Sequence, residues 1–182
     1  MVSGINICLY TCLALNIMLA CNIIHSTMGR SYTNINVHII FHTKENMCVM
    51  NEEDLTEIFR YIGGMVRTLS GYAFIVGGRP DHIHLLASIP LTMSLSDFVG
   101  KIKSNTSRWI KGLNAQYKDF TWQEGYGAFS VSESNKEQVL KYILSQKEHH
   151  RKYTAHEEFI HFLEKNHLPP ERYLQGQNTP EQ

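Results

Sequence analysis

From Met1 to Thr27 the chain has no Asp, Glu, Lys or Arg. A secretory signal needs a basic start ahead of its apolar stretch, and none is present. A membrane span needs about 20 apolar residues in a row. The best candidate, Cys12 to Ala20, is short, and Asn6, Asn16 and Asn22 interrupt the region. A misassigned start is the remaining reading, because Arg30 onward has the composition of a folded domain. We therefore expect residues 1–27 to be an uncharged leader outside the domain, with the domain itself at 28–182, starting at Met28. Thiols are scarce as well. Three of the four cysteines (Cys8, Cys12 and Cys21) fall in the leader, which leaves Cys48 alone in the domain. That excludes a disulfide framework, fits a reducing cytoplasm and leaves no membrane partner to expect.

Excess charge is also missing, with Lys+Arg 17 against Asp+Glu 17. A chain so balanced does not coat duplex DNA by charge alone, although a local phosphate site is allowed. There is no P-loop, internal repeat or low-complexity tract. With 182 residues and 43% hydrophobic content, one domain with a real core is implied.

The segments that are present follow a simple order. Tyr32 to Thr43 is rich in β-branched and aromatic residues and reads as a strand. Ile35, Val37, Ile39 and Phe41 make one face; Asn36, His38 and His42 make the other, with Ile40 among them. Asn51 caps a helix that runs with apolar residues at Leu55, Ile58, Phe59, Ile62, Val66 and Leu69 until Gly71 stops it. The Gly63-Gly64 pair inside it would permit a close approach to a sheet. Tyr72 to Gly78 is a second strand, joined by a turn at Gly77, Gly78, Pro80 and Asp81 to a third, so the two should pair antiparallel. Ser94 or Ser96 caps a helix reaching about Asn114. Gln116 to Glu124 reads as a loop, and Gly125 to Ser132 as a last strand. Ser134, with Glu137 in a capping box, then opens a helix from Asn135 to His150. The order β-α-β-β-α-β-α predicts an α+β fold. Its core is a ferredoxin-like, split βαβ antiparallel sheet with helices on one face, plus an added C-terminal helix that bears a tyrosine.

Chemistry concentrates in two places. In Arg79-Pro-Asp-His-Ile-His-Leu-Leu86, alternation puts His82 and His84 on one face of a strand and Ile83 and Leu85 on the other. Two imidazoles about 7 Å apart at Cβ suit one divalent metal, though a half-exposed strand carrying two histidines is the plainer alternative. The added helix places Tyr142 and Gln146 four residues apart on one side, with His149 and His150 a turn later. This too has a plain alternative, a polar outer face. Taken together the parts have a chemical logic. A tyrosine hydroxyl is a poor nucleophile near neutral pH. A metal that polarises a phosphate oxygen makes phosphorus easier to attack, and a phosphotyrosine stores the energy for rejoining. Gln146 could complete the metal shell through its carbonyl oxygen. The most basic segment is the helix from Ser94, where Lys101, Lys103, Arg108 and Lys111 surround the small donors Ser104 to Ser107. It is either a solvated face or a phosphate-contacting one.

These residues resemble the HUH single-tyrosine transposases of the smallest bacterial insertion sequences, and the REP-associated tyrosine transposases closely related to them. The resemblance runs from about Met28 to Leu174. It rests on Tyr32-Thr-Asn with Phe41-His-Thr-Lys44, Pro80-Asp-His-Ile-His-Leu-Leu86 and Ser94-Leu-Ser-Asp-Phe-Val99. Gly125-Tyr-Gly-Ala-Phe-Ser130 and Tyr142-Ile-Leu-Ser-Gln-Lys-Glu-His-His150 follow in the same order. It implies that His82, His84 and Gln146 hold Mg²⁺ or Mn²⁺, and that Tyr142 attacks single-stranded DNA to leave a 5′-phosphotyrosine and a free 3′-OH. It further implies recognition of hairpin ends and a homodimer. Lys101, Lys103, Arg108 and Lys111, with Arg151 and Lys152, are the expected DNA contacts. Three other readings compete: a catalytically silent binding protein, an RNA-recognition sheet, and a zinc hydrolase using His82, His84, His149 and His150. The second has histidines where stacking aromatics belong. The third leaves Tyr142 without a role.

Overall fold

A computed structural model describes residues 32–44, 49–146 and 154–171. Its strands are β1 (Asn36–His42), β2 (Tyr72–Arg79), β3 (His82–Ser88) and β4 (Gly127–Val131). The helices are α1 (Leu55–Thr68), α2 (Leu95–Leu113), α3 (Lys136–Leu144) and α4 (Ala155–Lys165). All belong to the unit Asn34–Gln182. The sheet order is β2-β3-β1-β4, with every neighbouring pair antiparallel. This is the split βαβ arrangement expected from the sequence, with β3 inserted between the two strands that α1 connects.

Strand alternation divides the sheet between two cores. Val37, Ile39 and Phe41 of β1 and Ile83, Leu85 and Ala87 of β3 pack against Leu55, Ile58, Ile62 and Val66 of α1 and Phe98, Val99, Ile102 and Ile110 of α2. The opposite face carries Ile40 and Phe129, which pack with Phe159 and Leu163 of α4. Tyr117, Phe120 and Trp122, in the connection read as a loop, are buried in the first core. They order that connection into a short 3₁₀ turn at Ala115–Tyr117 and a bridge from Thr43 to Trp122.

Several local expectations are corrected. The first helix begins at Leu55 after Asp54, not after Asn51. The Tyr117 hydroxyl accepts the Asn51 N–H at 2.8 Å and donates to Asp54 Oδ2 at 2.5 Å, which holds 51–54 in a turn. At the other end Ser70, with φ 63°, takes the left-handed position, while Ser70 N and Gly71 N bond back to Arg67 O and Val66 O. This is a Schellman motif with a serine where glycine is usual. The anticipated Ser134–Glu137 box does not form. The chain makes a 3₁₀ turn at Glu133–Asn135 first, and Glu137 pairs with Lys141 at 2.8 Å.

Close approach to the sheet occurs at other glycines than the pair in α1. A Cβ at Gly63 would meet only Val76, at 4.0 Å, and one at Gly64 nothing. A Cβ at Gly77 would lie 2.7 Å from Ile143 Cγ2 of α3, and one at Gly127 2.5 Å from Phe159 of α4. The sheet thus lacks side chains where the two later helices rest on it. We predict that Gly77→Ala destabilises the fold by about 1–3 kcal/mol through overpacking. Gly64→Ala should stabilise it by up to about 1 kcal/mol. Denaturant unfolding checks both, and equal effects of the two substitutions would refute the packing argument.

Candidate active site

The histidine face of β3 is not half-exposed. His82 and His84 have no accessible surface, and His38 on β1 is 1% exposed. Helices α3 and α4 account for this, since they cover the face that the sequence pattern left open. Each histidine is oriented through its Nδ1. His82 Nδ1 lies 2.7 Å from Asp81 Oδ1, and His84 Nδ1 lies 2.9 Å from His38 Nε2. Burial holds the His38 ring neutral by pushing its pKa down to about 4. In the tautomer with the His38 proton on Nδ1, His38 Nε2 accepts from His84 Nδ1, and both the His82 and His84 Nε2 atoms then carry lone pairs turned away from these partners.

The third member of the group is Glu158, which the sequence reading missed. Thr154 caps α4 in a full capping box with Glu157, and Glu158 follows in the first turn, 3% exposed. Its Oε2 is 3.6 Å from His82 Nε2 and its Oε1 is 3.5 Å from His84 Nε2. All three ligand atoms lie within 4.8 Å of one another. Atoms that share a divalent ion at about 2.0–2.2 Å each sit at comparable separations. Gln146 Nε2 donates to Glu158 Oε1 at 2.9 Å, and its buried Oε1 has no hydrogen-bond partner among the described residues. Two imidazole nitrogens, a carboxylate and an orphaned amide oxygen form a donor set that fits Mg²⁺ or Mn²⁺. A signal for Glu158 was available. Thr154-Ala-His-Glu157 is a capping box, and Ala155, Phe159, Phe162 and Leu163 make an apolar stripe that includes position 158.

Tyr142 stands in the same place. Its ring meets that of His84 edge-on, with centroids 5.7 Å apart, and that of Phe162 at 5.5 Å. Its hydroxyl oxygen is buried. One chain therefore brings Tyr142, Gln146, His82 and His84 together. His149, His150, Arg151 and Lys152 lie outside the described residues, as does the leader at 1–27.

The expected DNA contacts on α2 do not join this group. That helix packs on the far face of the sheet. Lys101, Arg108 and Lys111 are exposed, but Lys103 Nζ donates to the carbonyls of Gln123 and Gly125, each at 2.6 Å. Most of the small donors are also engaged at home. Asn105, Thr106 and Ser107 donate to the carbonyls of Lys101, Ile102 and Phe120. What survives is an open groove lined by Ser104, Arg108, Lys111 and residues 121–124.

A split βαβ sheet with His-x-His on a central strand, facing a helix-borne tyrosine four residues before a glutamine, defines the HUH single-tyrosine class. Comparison narrows this further. The family model described as "Transposase IS200 like" matches residues 31–146, and the chain belongs to that family. It is 35% identical over 72 residues to the ISDra2 transposase TnpA of Deinococcus radiodurans, a match covering 37% of this chain and 51% of the relative. The chain thus spans about half the length of the curated relative it matches. Its fold is similar to the crystal structure of a candidate transposase from Deinococcus radiodurans R1, with a TM-score of 0.50 and 22% identity over 66% of this chain and 98% of that one. It also aligns with the structure of the REP-associated tyrosine transposase bound to a REP hairpin. There the TM-score is 0.49 and the identity 16%, over 69% of this chain and 74% of that one. Glu158 lies beyond the segment that the family model matches. Among the described residues no helix is long and apolar enough to cross a membrane.

The buried groups make stability depend on pH in two opposing ways. Burial raises the Glu158 carboxyl from 4.5 to about 7. The folded chain therefore holds a proton there that the unfolded chain has lost, and this contribution disappears as pH rises through 7. Burial lowers His38 and His42 from 6.5 to about 4, so their contribution is present above 6.5 and is lost as pH falls toward 4. Glu158→Gln keeps an acceptor for Gln146 and removes only the first effect. We predict that the Tm of the metal-free variant, minus that of the parent, grows from pH 5 to pH 8. A difference that stays flat in thermal unfolding across that range would overturn the assignment.

Proposed function

We propose that this chain is a transposase that cleaves and rejoins single-stranded DNA through Tyr142, in the movement of an insertion sequence. The observation that carries the reading is the edge-on approach of the Tyr142 ring to His84 at 5.7 Å, inside a group that also holds His82 and Glu158. In cleavage the Tyr142 phenolic oxygen bonds to phosphorus as the bond from phosphorus to the 3′ oxygen breaks. The phenol gives up its proton and the departing 3′ oxygen gains one. The products are a 5′-phosphotyrosine and a free 3′-OH. Rejoining reverses the sequence with the 3′-OH of another strand.

The residues have separate tasks. His82, His84 and Glu158, with the Gln146 carbonyl, would hold Mg²⁺ or Mn²⁺. A bound ion of this kind supplies Lewis-acid polarisation of a phosphate oxygen. Asp81 and His38 hold the two imidazoles in the required tautomer through their Nδ1 atoms. Gln146 Nε2 fixes the Glu158 carboxylate. The ring of Phe162 packs against both the Tyr142 ring and His84 and encloses the phenol on the histidine side. Hairpin ends of the element are the proposed substrate, and the cytoplasm the proposed location. Since one chain brings Tyr142 to its own histidines, a homodimer would serve to pair two DNA ends rather than to complete a site.

Tyr142→Phe should abolish covalent capture of an oligonucleotide labelled on the 3′ side of the cut and leave hairpin affinity unchanged. Chelation of divalent ions should abolish capture by the parent chain. Capture that persists in Tyr142→Phe would sink the assignment of the nucleophile. Hairpin binding without capture by the parent in Mg²⁺ or Mn²⁺ would favour a silent binding protein.

A further inference from the structure

A second recess opens beside the histidine cluster. It has a volume of about 330 Å³, at the small end of ligand pockets, which run from roughly 300 to 1,000 Å³. Tyr126, Phe159, Leu163 and Leu168 give it apolar walls, and Gln123 and Glu124 supply its polar edge. Tyr126 and Leu168 are 37% and 45% exposed, a substantial apolar and aromatic surface to leave in water beside a buried polar site.

Two features say what could occupy it. The first is continuity with the site. His42 lines the recess and sits directly across the β1–β3 ladder from His82, with ring centroids 5.7 Å apart. Phe159, in its wall, follows Glu158 in sequence. The second is charge. Gln123 and Glu124 line both this recess and the basic groove on α2, so the 123–126 segment is a ridge between the two. Lys103 pins that ridge through its bonds to the carbonyls of Gln123 and Gly125. A strand whose phosphates lie along Arg108 and Lys111 would pass over the ridge and bring its next base to the recess.

We infer that this recess is a subsite for one unstacked nucleobase of the single strand, next to the phosphate that Tyr142 attacks. The inference rests on the transposase reading and adds a specificity element to it. Tyr126 provides the stacking surface, which serves any base. The Glu124 carboxylate accepts, and the Gln123 amide both donates and accepts. The edge they form favours a base with an exocyclic amino group, adenine, cytosine or guanine, over thymine. Lys103 is then a positioning residue that holds the ridge, not a phosphate contact.

The test uses the full chain and a single-stranded oligonucleotide copied from the hairpin-bearing DNA that flanks the gene. 2-Aminopurine is placed at each unpaired position in turn, with divalent ions chelated so that nothing is cut. One position should be quenched severalfold on binding to the parent and to Tyr126→Phe, and unquenched with Tyr126→Ala. An abasic site there should weaken binding to the parent about tenfold and bring no further loss with Tyr126→Ala. Glu124→Gln should leave quenching intact and reduce the preference between cytosine and thymine at that position. The inference is overturned if no position responds, or if Tyr126→Ala responds like the parent while its Tm is unchanged. Quenching without covalent capture by Tyr142 would leave the subsite standing and remove the nuclease reading. Capture with no Tyr126-dependent position would do the reverse.

Discussion

A carboxylate buried against two imidazoles is the constraint on which the rest of this structure turns. Glu158 is 3% exposed, and a buried carboxylate is costly unless something compensates its charge. Part of that compensation is visible in the Gln146 amide and the two imidazole edges. The His82-His84-Glu158 group could hold a metal ion, which would supply the remainder. The second hydrophobic core serves the same end. Ile40, Phe129, Phe159 and Leu163 hold α4 against the sheet, and without that seal the carboxylate would be hydrated and the histidines half-open.

The tyrosine depends on the same arrangement from another side. It rides on a short helix whose Ile143 occupies the space left by Gly77. Its aromatic neighbours come from three elements: His84 of β3, His38 of β1 and Phe162 of α4. Ring packing thus sets the phenol against the histidine face. Packing of this kind is set by volume, which is why glycines matter more here than any single polar contact.

Much of this was legible in the sequence, and what was not has physical reasons. Period-two alternation put His82 and His84 on one face and Ile83 and Leu85 on the other, because a strand leaves no alternative. The burial of that face was not legible, since the helices that cover it come some sixty residues later. The helix start at Asn51 was misplaced because Tyr117, distant in sequence, takes the Asn51 N–H for itself. The same Ser/Thr-x-x-Glu pattern occurs at Ser134 and at Thr154, and only the second forms a capping box. In the first, Glu137 has Lys141 one turn on and takes that partner instead. Glu158 was passed over because an acid in an apolar stripe reads as noise until the partners facing it are known. Lys103 shows the converse: in the sequence it is one of a basic run, and in the fold its ammonium donates to two carbonyls.

The recognisable family segment closes at Gln146, and the carboxylate arrives twelve positions later on a separate helix. A fragment trimmed to that segment would retain His82, His84, Tyr142 and Gln146. It would nevertheless lack Glu158 of the buried His82-His84-Glu158 group and the Phe162 ring packed against Tyr142. Motif completeness and chemical completeness are thus different properties in this chain, and minimal versions of it should be cut after the last helix rather than at the last motif.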